Sequence, residues 1–167
     1  MRKRWLLPLL LLLTIWAVAF SHYPRLPRIL PGYFQLSGEP TQWVPKGINF
    51  FALPLLAGAV YFILGVVGRL ASRRPSLLGR PLYGEAAKNV AIMLRRYIWL
   101  MNCAILTFLL NIEFRSIQIA YGSRHDLGWD SYLLGGLILG YALCGSVILF
   151  RFARRCLRWQ EENERRC

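Results

Sequence analysis

Four stretches of the chain are almost continuously apolar, and the segments between them hold nearly all of the charge, proline and turn-forming residues. The runs cover residues 5–23, 48–68, 97–114 and 132–152. A helix needs about 20 apolar residues to cross the hydrocarbon core of a bilayer, so each run predicts a transmembrane helix. The first is the shortest. Its core from Trp5 to Phe20 reaches only about 24 Å at 1.5 Å per residue, so Ser21–Tyr23, a thin bilayer or a small tilt must complete the crossing.

The intervening segments predict a first loop over 24–47, a basic connector over 69–96, a second loop over 115–131 and a basic tail over 153–167. Within the connector, GEAAKNVAIMLRR has Ala87, Val90, Ala91 and Leu94 at helical spacing, and no breaker separates Glu85 from Phe114. The third helix should therefore extend back into the connector. In the second helix Pro54 predicts a kink, and Gly58 and Gly65 thin one face. The fold class is an all-α membrane protein: one membrane domain over 1–167, four transmembrane helices and a Pro-rich extracytoplasmic cap between helices 1 and 2.

Composition agrees with that class. Of 167 residues, 56% are hydrophobic and 17% charged, against roughly a quarter charged in soluble domains. A net charge of +13 raises nucleic acid as a partner, but the distribution of charge argues against it. Three Lys/Arg precede the first run, seven lie in the basic connector and six lie from Arg151, at the end of the last run, onward, leaving five for the other two loops. That alternation predicts both termini in the cytoplasm, with the lipid bilayer as the basic residues' partner and no nucleic acid. MRKR followed by leucines and Ala17-Val18-Ala19 also fits a cleaved signal peptide, the alternative reading of the first run. Cys103 and Cys144 fall within spans, and Cys156 and Cys167 on the predicted cytoplasmic side, so no disulfide framework is expected.

Polar residues inside the spans are the next candidates. Asn102, Leu106, Leu109 and Glu113 follow i, i+4, i+7, i+11 spacing, which puts Asn102 and Glu113 on one helix face and Asn111 roughly opposite. An intramembrane carboxylate is a functional candidate; the plainer expectation for Glu113 is an interfacial acid paired with nearby Arg115. For Asn102 it is a hydrogen bond across the bundle. In the fourth helix, Gly136, Gly140 and Cys144 form a stripe of small residues that lets another helix approach, from this chain in the simpler case or from a second copy in a homo-oligomer.

Catalytic chemistry is not predicted. Ser123, His125 and Asp126 are crowded into four positions, whereas a triad needs groups converging from different directions. His22 and His125 with Glu39 or Asp126 lack any fixed metal-ligand spacing. No enzyme activity, metal or cofactor is expected.

The first loop is the most distinctive segment. Pro27, Pro31, Pro40 and Pro45 forbid a continuous helix, and Ser37-Gly38-Glu39-Pro40 is a turn signal, so extended segments and turns should form a stiff cap. Tyr23, Tyr33, Phe34 and Trp43 suit the headgroup level. The order Tyr23-Pro-x-Leu-Pro27, Leu30-Pro31-x-Tyr33-Phe34, Ser37-Gly38-Glu39-Pro40, Trp43 and Lys46 resembles the DUF1648 family, over about residues 20–60. That domain also stands at the front of SdpI-like immunity proteins. The resemblance implies a bacterial inner-membrane protein that binds or senses through the cap, in peptide immunity or envelope-stress signalling. Its partner would be an extracytoplasmic peptide or another membrane protein. The family usually has His where Tyr33 stands, so any chemistry of that His is not implied here, only the cap. The cap candidates are Pro27, Pro31, Tyr33, Phe34, Gly38, Glu39, Pro40, Trp43 and Lys46. A small transporter or channel using Asn102 and Glu113, and a scaffold subunit using the fourth helix, are the alternative functions.

Overall fold

The computed structural model describes residues 5–35, 37–73, 76–77, 80–81 and 84–164. Arg2, Lys3, Arg4, Arg74, Arg165, Arg166 and Cys167, to which sequence reading gave topological or redox meaning, lie outside the described residues. Four helices carry the architecture: α1 (Leu6–His22), α2 (Ala52–Arg73), α3 (Gly84–Ala120) and α4 (Trp129–Glu164). All four are long and apolar enough to cross a membrane, as an all-α multi-pass membrane protein requires. Pro8 and Pro54 both fall in the first turn of their helices, where the missing N–H is unpaired in any case. Pro54 therefore stands at the start of α2 rather than in its middle, and the span begins with a 3-10 turn, Ile48–Phe51.

Helix α3 is the hub. It packs against α1, α2 and α4, whereas α4 finds its main helix partner in α3. Ile15 of α1, Ala57 of α2, and Leu106 and Leu109 of α3 meet in the central core. Near the start of α3, Val90 packs with Ala153 of α4. Between them, Tyr97 fastens α3 to α4: its hydroxyl donates to the Ala142 carbonyl at 2.8 Å, and its ring occupies the place a Cβ on Gly145 would need. Gly135 lies similarly close to the Phe108 ring, at 3.3 Å for an added Cβ. Intramolecular packing along Gly136, Gly140 and Cys144 is not what the chain adopts. Among the described residues nothing lies within 4 Å of a Cβ at Gly136 or Gly140, and Cys144 is an exposed free thiol.

The first loop folds as a β-hairpin, β1 (Ile29–Phe34) and β2 (Pro40–Pro45), paired antiparallel with Leu30 opposite Val44 and Phe34 opposite Pro40. Prolines are compatible with this ribbon because each strand has an unpaired edge that needs no N–H donor. The register slips around Gly32, where the ribbon bulges and an added Cβ would sit 2.7 Å from Val44. Lys46 braces the base of the hairpin. Its ammonium donates to the Leu26 carbonyl at 3.1 Å and lies over the Tyr23 ring, 4.7 Å from the centroid. A second, very short antiparallel pair joins β3 (Ser76–Leu77) to β4 (Arg80–Pro81).

The second loop is shorter than the apolar pattern predicted, because α3 continues to Ala120 and α4 starts at Trp129. Residues 115–120 are the last turn and a half of α3, not loop. Ser123 closes that helix: its backbone N–H and its hydroxyl both donate to the Gln118 carbonyl. This hydroxyl thus helps to cap the end of α3.

Candidate functional site

The hairpin lies across the end of α3. Leu26 and Leu30 pack on Ile117, with Val18, Phe50 and Ala120 around them, so the base of the cap is held by apolar burial. The turn at the far end is held by hydrogen bonds. Leu127 N–H donates to the Gly38 carbonyl at 3.1 Å, and the Tyr132 hydroxyl donates to the Gln35 carbonyl at 3.3 Å. Gly38 is buried with φ at +88°, a conformation that glycine adopts without strain.

Anchored at both ends, the hairpin roofs a cavity of about 360 Å³. Its roof is β1 and Val44, one wall is the start of α2, and the other wall is α3 from Ile112 to Ala120. This volume is in the range that small-molecule sites occupy. The lining is mainly apolar, with Glu113, Ser116, Asn49 and the Tyr33 hydroxyl as its charged and polar side-chain groups.

Glu113 departs from expectation. It is 1% exposed, and its Oε1 has no hydrogen-bond partner among the described residues. Pairing with Arg115 does not occur: Arg115 forms its ion pair with Asp130 at the start of α4. Helix geometry explains this, since residues two apart point to nearly opposite sides of a helix and Glu113 faces the cavity side. Asn111 likewise turns to α4, with Oδ1 2.7 Å from the Ser131 hydroxyl.

Asn102 lies on the Glu113 face, about 16 Å back toward the start of α3 at 1.5 Å per residue. It is wholly buried, and neither Nδ2 nor Oδ1 has a partner, so the expected cross-bundle hydrogen bond is not made. Leu106 and Leu109, packed on Ile15 and Ala57, fill the face between the two polar residues.

Of the cap residues, Pro31, Tyr33 and Phe34 line the cavity. Gly38 forms the latched turn, and the Glu39 carbonyl accepts from Gln35 N–H at 2.9 Å inside that turn. Pro40 and Trp43 are strand residues paired with Phe34 and Pro31, with Trp43 exposed. Pro27 is an exposed linker residue, and Lys46 works as a brace away from the cavity. Sequence reading missed Ser116 and Asn49. Ser116 is one helical turn beyond Glu113, so the same spacing that joined Asn102 to Glu113 could have found it.

His22 Nδ1 lies 3.4 Å from the Tyr121 hydroxyl. Among the described residues, no group of three His, Cys, Asp or Glu side chains stands close enough to hold a metal ion.

Comparison with curated proteins and with solved structures gave no match. The cavity is composite: its roof and its α2 wall lie within one recognisable segment, whereas Glu113 and Ser116 lie beyond it. Residues 9–58, which run from α1 through the hairpin into α2, match the family model DUF1648, a domain of unknown function.

Proposed function

We propose that this chain is a multi-pass binding or sensing protein of the bacterial inner membrane, with the hairpin on the extracytoplasmic side, both termini in the cytoplasm and the roofed cavity as its ligand site. The observation that carries the reading is the cavity itself: a mainly apolar, partly open cleft bounded by the hairpin, α2 and α3, with one buried carboxyl in its lining whose Oε1 is unpartnered. The ligand would be an extracytoplasmic peptide or a fragment of one, and the role peptide immunity or envelope-stress signalling. The DUF1648 match supports placing the cap in that setting. The latch supports a sensing role, since a ligand beneath the hairpin would bias its contacts with Leu127 and Tyr132 at the head of α4. From there α4 runs unbroken over its 36 residues, past Arg151, Arg154, Arg155 and Arg158, to Glu164.

Conduction along Asn102 and Glu113 has less support, because Leu106 and Leu109 seal the interval between them. A scaffold role draws on one observation, the uncovered Gly136/Gly140 face of α4, and predicts a stoichiometric membrane partner that Gly140→Leu releases.

The test uses whole cells. Ser37→Cys should react with an impermeant thiol reagent before lysis. Ser116→Trp, which fills the cavity, and Gly38→Val, which breaks the latch, should remove tolerance to a membrane-active peptide at unchanged membrane abundance. Unchanged tolerance in both variants, or Ser37→Cys labelling only after lysis, would overturn the reading.

A further inference from the structure

We infer that the cavity selects a ligand bearing a cationic nitrogen, an ammonium or guanidinium, on an apolar body, with Glu113 as the counter-charge. This deepens the ligand-binding reading above and rests on it.

Three observations converge. First, the lining around Glu113 is made of apolar groups such as Leu53, Phe50 and Ile112, so the body of the ligand must be apolar to gain from entering. Second, the carboxyl is almost fully buried, with Oε1 unpartnered, and a polar atom held in that state costs free energy until something pairs with it. Third, neither the arginine two positions on nor the lysine at the base of the hairpin pairs with it. Arg115 is paired with Asp130, and Lys46 is bound to the Leu26 carbonyl and the Tyr23 ring. The position next to Glu113 is therefore open to a cation brought by the ligand.

An ammonium there would form a charge-assisted hydrogen bond to the carboxylate, stronger than a neutral one and favoured by the low dielectric of the site. Ser116, one turn further along α3 and also in the lining, offers a hydroxyl to a second ligand hydrogen. A neutral ligand of the same shape would leave the carboxyl unpaired, and an anionic one would be repelled. Selectivity thus comes from the group at the end of the ligand, and affinity from its apolar body.

The experiment takes the full chain in nanodiscs and titrates it calorimetrically with 4-phenylbutylamine, 4-phenylbutanol and 4-phenylbutyrate, subtracting empty nanodiscs. Wild type should bind the amine at least tenfold more tightly than the alcohol, and the acid least. Glu113→Gln, which keeps the shape and removes the charge, should bring amine and alcohol to equal affinity, and Glu113→Asp should keep a reduced amine preference. Ser116→Trp should abolish binding of all three.

Equal binding of amine and alcohol to wild type, or an amine preference that survives Glu113→Gln, would overturn the inference while leaving the cavity as a binding site. Failure of wild type to bind any probe would overturn both. The comparison of the three probes on wild type decides the question even if a Glu113 variant fails to fold.

Discussion

The Gly38 carbonyl accepts a hydrogen bond from the Leu127 N–H across 3.1 Å, and through it the turn of a hairpin near the start of the chain is fastened to the head of the last helix. The two residues are 89 positions apart in sequence, yet this bond and the neighbouring Tyr132–Gln35 contact hold the far end of the roof in place.

Gly38→Val should open that latch. A β-branched residue is strained at φ +88°, at roughly 1–2 kcal/mol, and its Cβ would sit 3.0 Å from the Tyr132 hydroxyl and 3.2 Å from the Leu127 nitrogen. Hydrogen exchange should show the Leu127 amide losing protection while amides in the middle of α3 keep theirs. Tyr132→Phe removes only the exposed hydroxyl bond, and its cost should stay near or below about 1 kcal/mol.

Tyr97 should matter more through its ring than through its hydroxyl. Tyr97→Phe deletes the bond to the Ala142 carbonyl, a loss of about 1 kcal/mol, and leaves the ring seated on Gly145. Gly145→Val drives side-chain atoms into that ring and must push α3 and α4 apart, with an expected cost of about 1–3 kcal/mol from overpacking. Unfolding of the two variants in mild detergent, compared side by side, checks the order.

The Arg115–Asp130 pair should contribute little. Asp130 is half exposed, with 53% of its side chain accessible, and ion pairs in such settings typically contribute about 0–1 kcal/mol. Arg115→Ala should therefore be tolerated. Arg115→Asp should be worse than Arg115→Ala, and adding Asp130→Arg should restore the loss, with the recovery shrinking as salt is raised. A loss of several kcal/mol in Arg115→Ala would mean that the arginine has another partner.

The parts of this architecture legible in the sequence are those decided by local composition and helical spacing. Apolar runs become helices because a bilayer admits few other spanning structures, and counting along α3 places Asn102 and Glu113 on one face. What the spacing cannot supply is the neighbour each face meets. Glu113 and Arg115 are close in sequence, which suggested a pair, but two positions on a helix is more than half a turn of rotation. The glycines of α4 show the same gap. Gly145 lies nine residues, two and a half turns, beyond Gly136 and so on the opposite side of the helix. Periodicity alone does not say which side α3 takes. The cavity was hidden for a related reason: its roof and its carboxyl come from segments about 80 residues apart, joined by tertiary packing such as that of Leu26 and Leu30 on Ile117.

Asn102→Leu should stabilise the protein, the reverse of the usual result for a buried asparagine. The amide is completely inaccessible, and neither of its polar atoms is hydrogen-bonded, so the folded state carries a desolvation cost with nothing to offset it. Leucine has the same number of side-chain heavy atoms and the same branch point, and it would join the Leu106 and Leu109 core without a polar atom. The gain should be about 1 kcal/mol, limited because asparagine on a separated helix in the membrane can find partners of its own. Asn102→Ala, by contrast, removes the amide and leaves a void, and should be neutral or destabilising. Thermal unfolding in nanodiscs distinguishes the two. A clear loss of stability in Asn102→Leu, with the fold otherwise intact, would mean that the amide is bonded in the membrane and that this face of α3 is polar along its length.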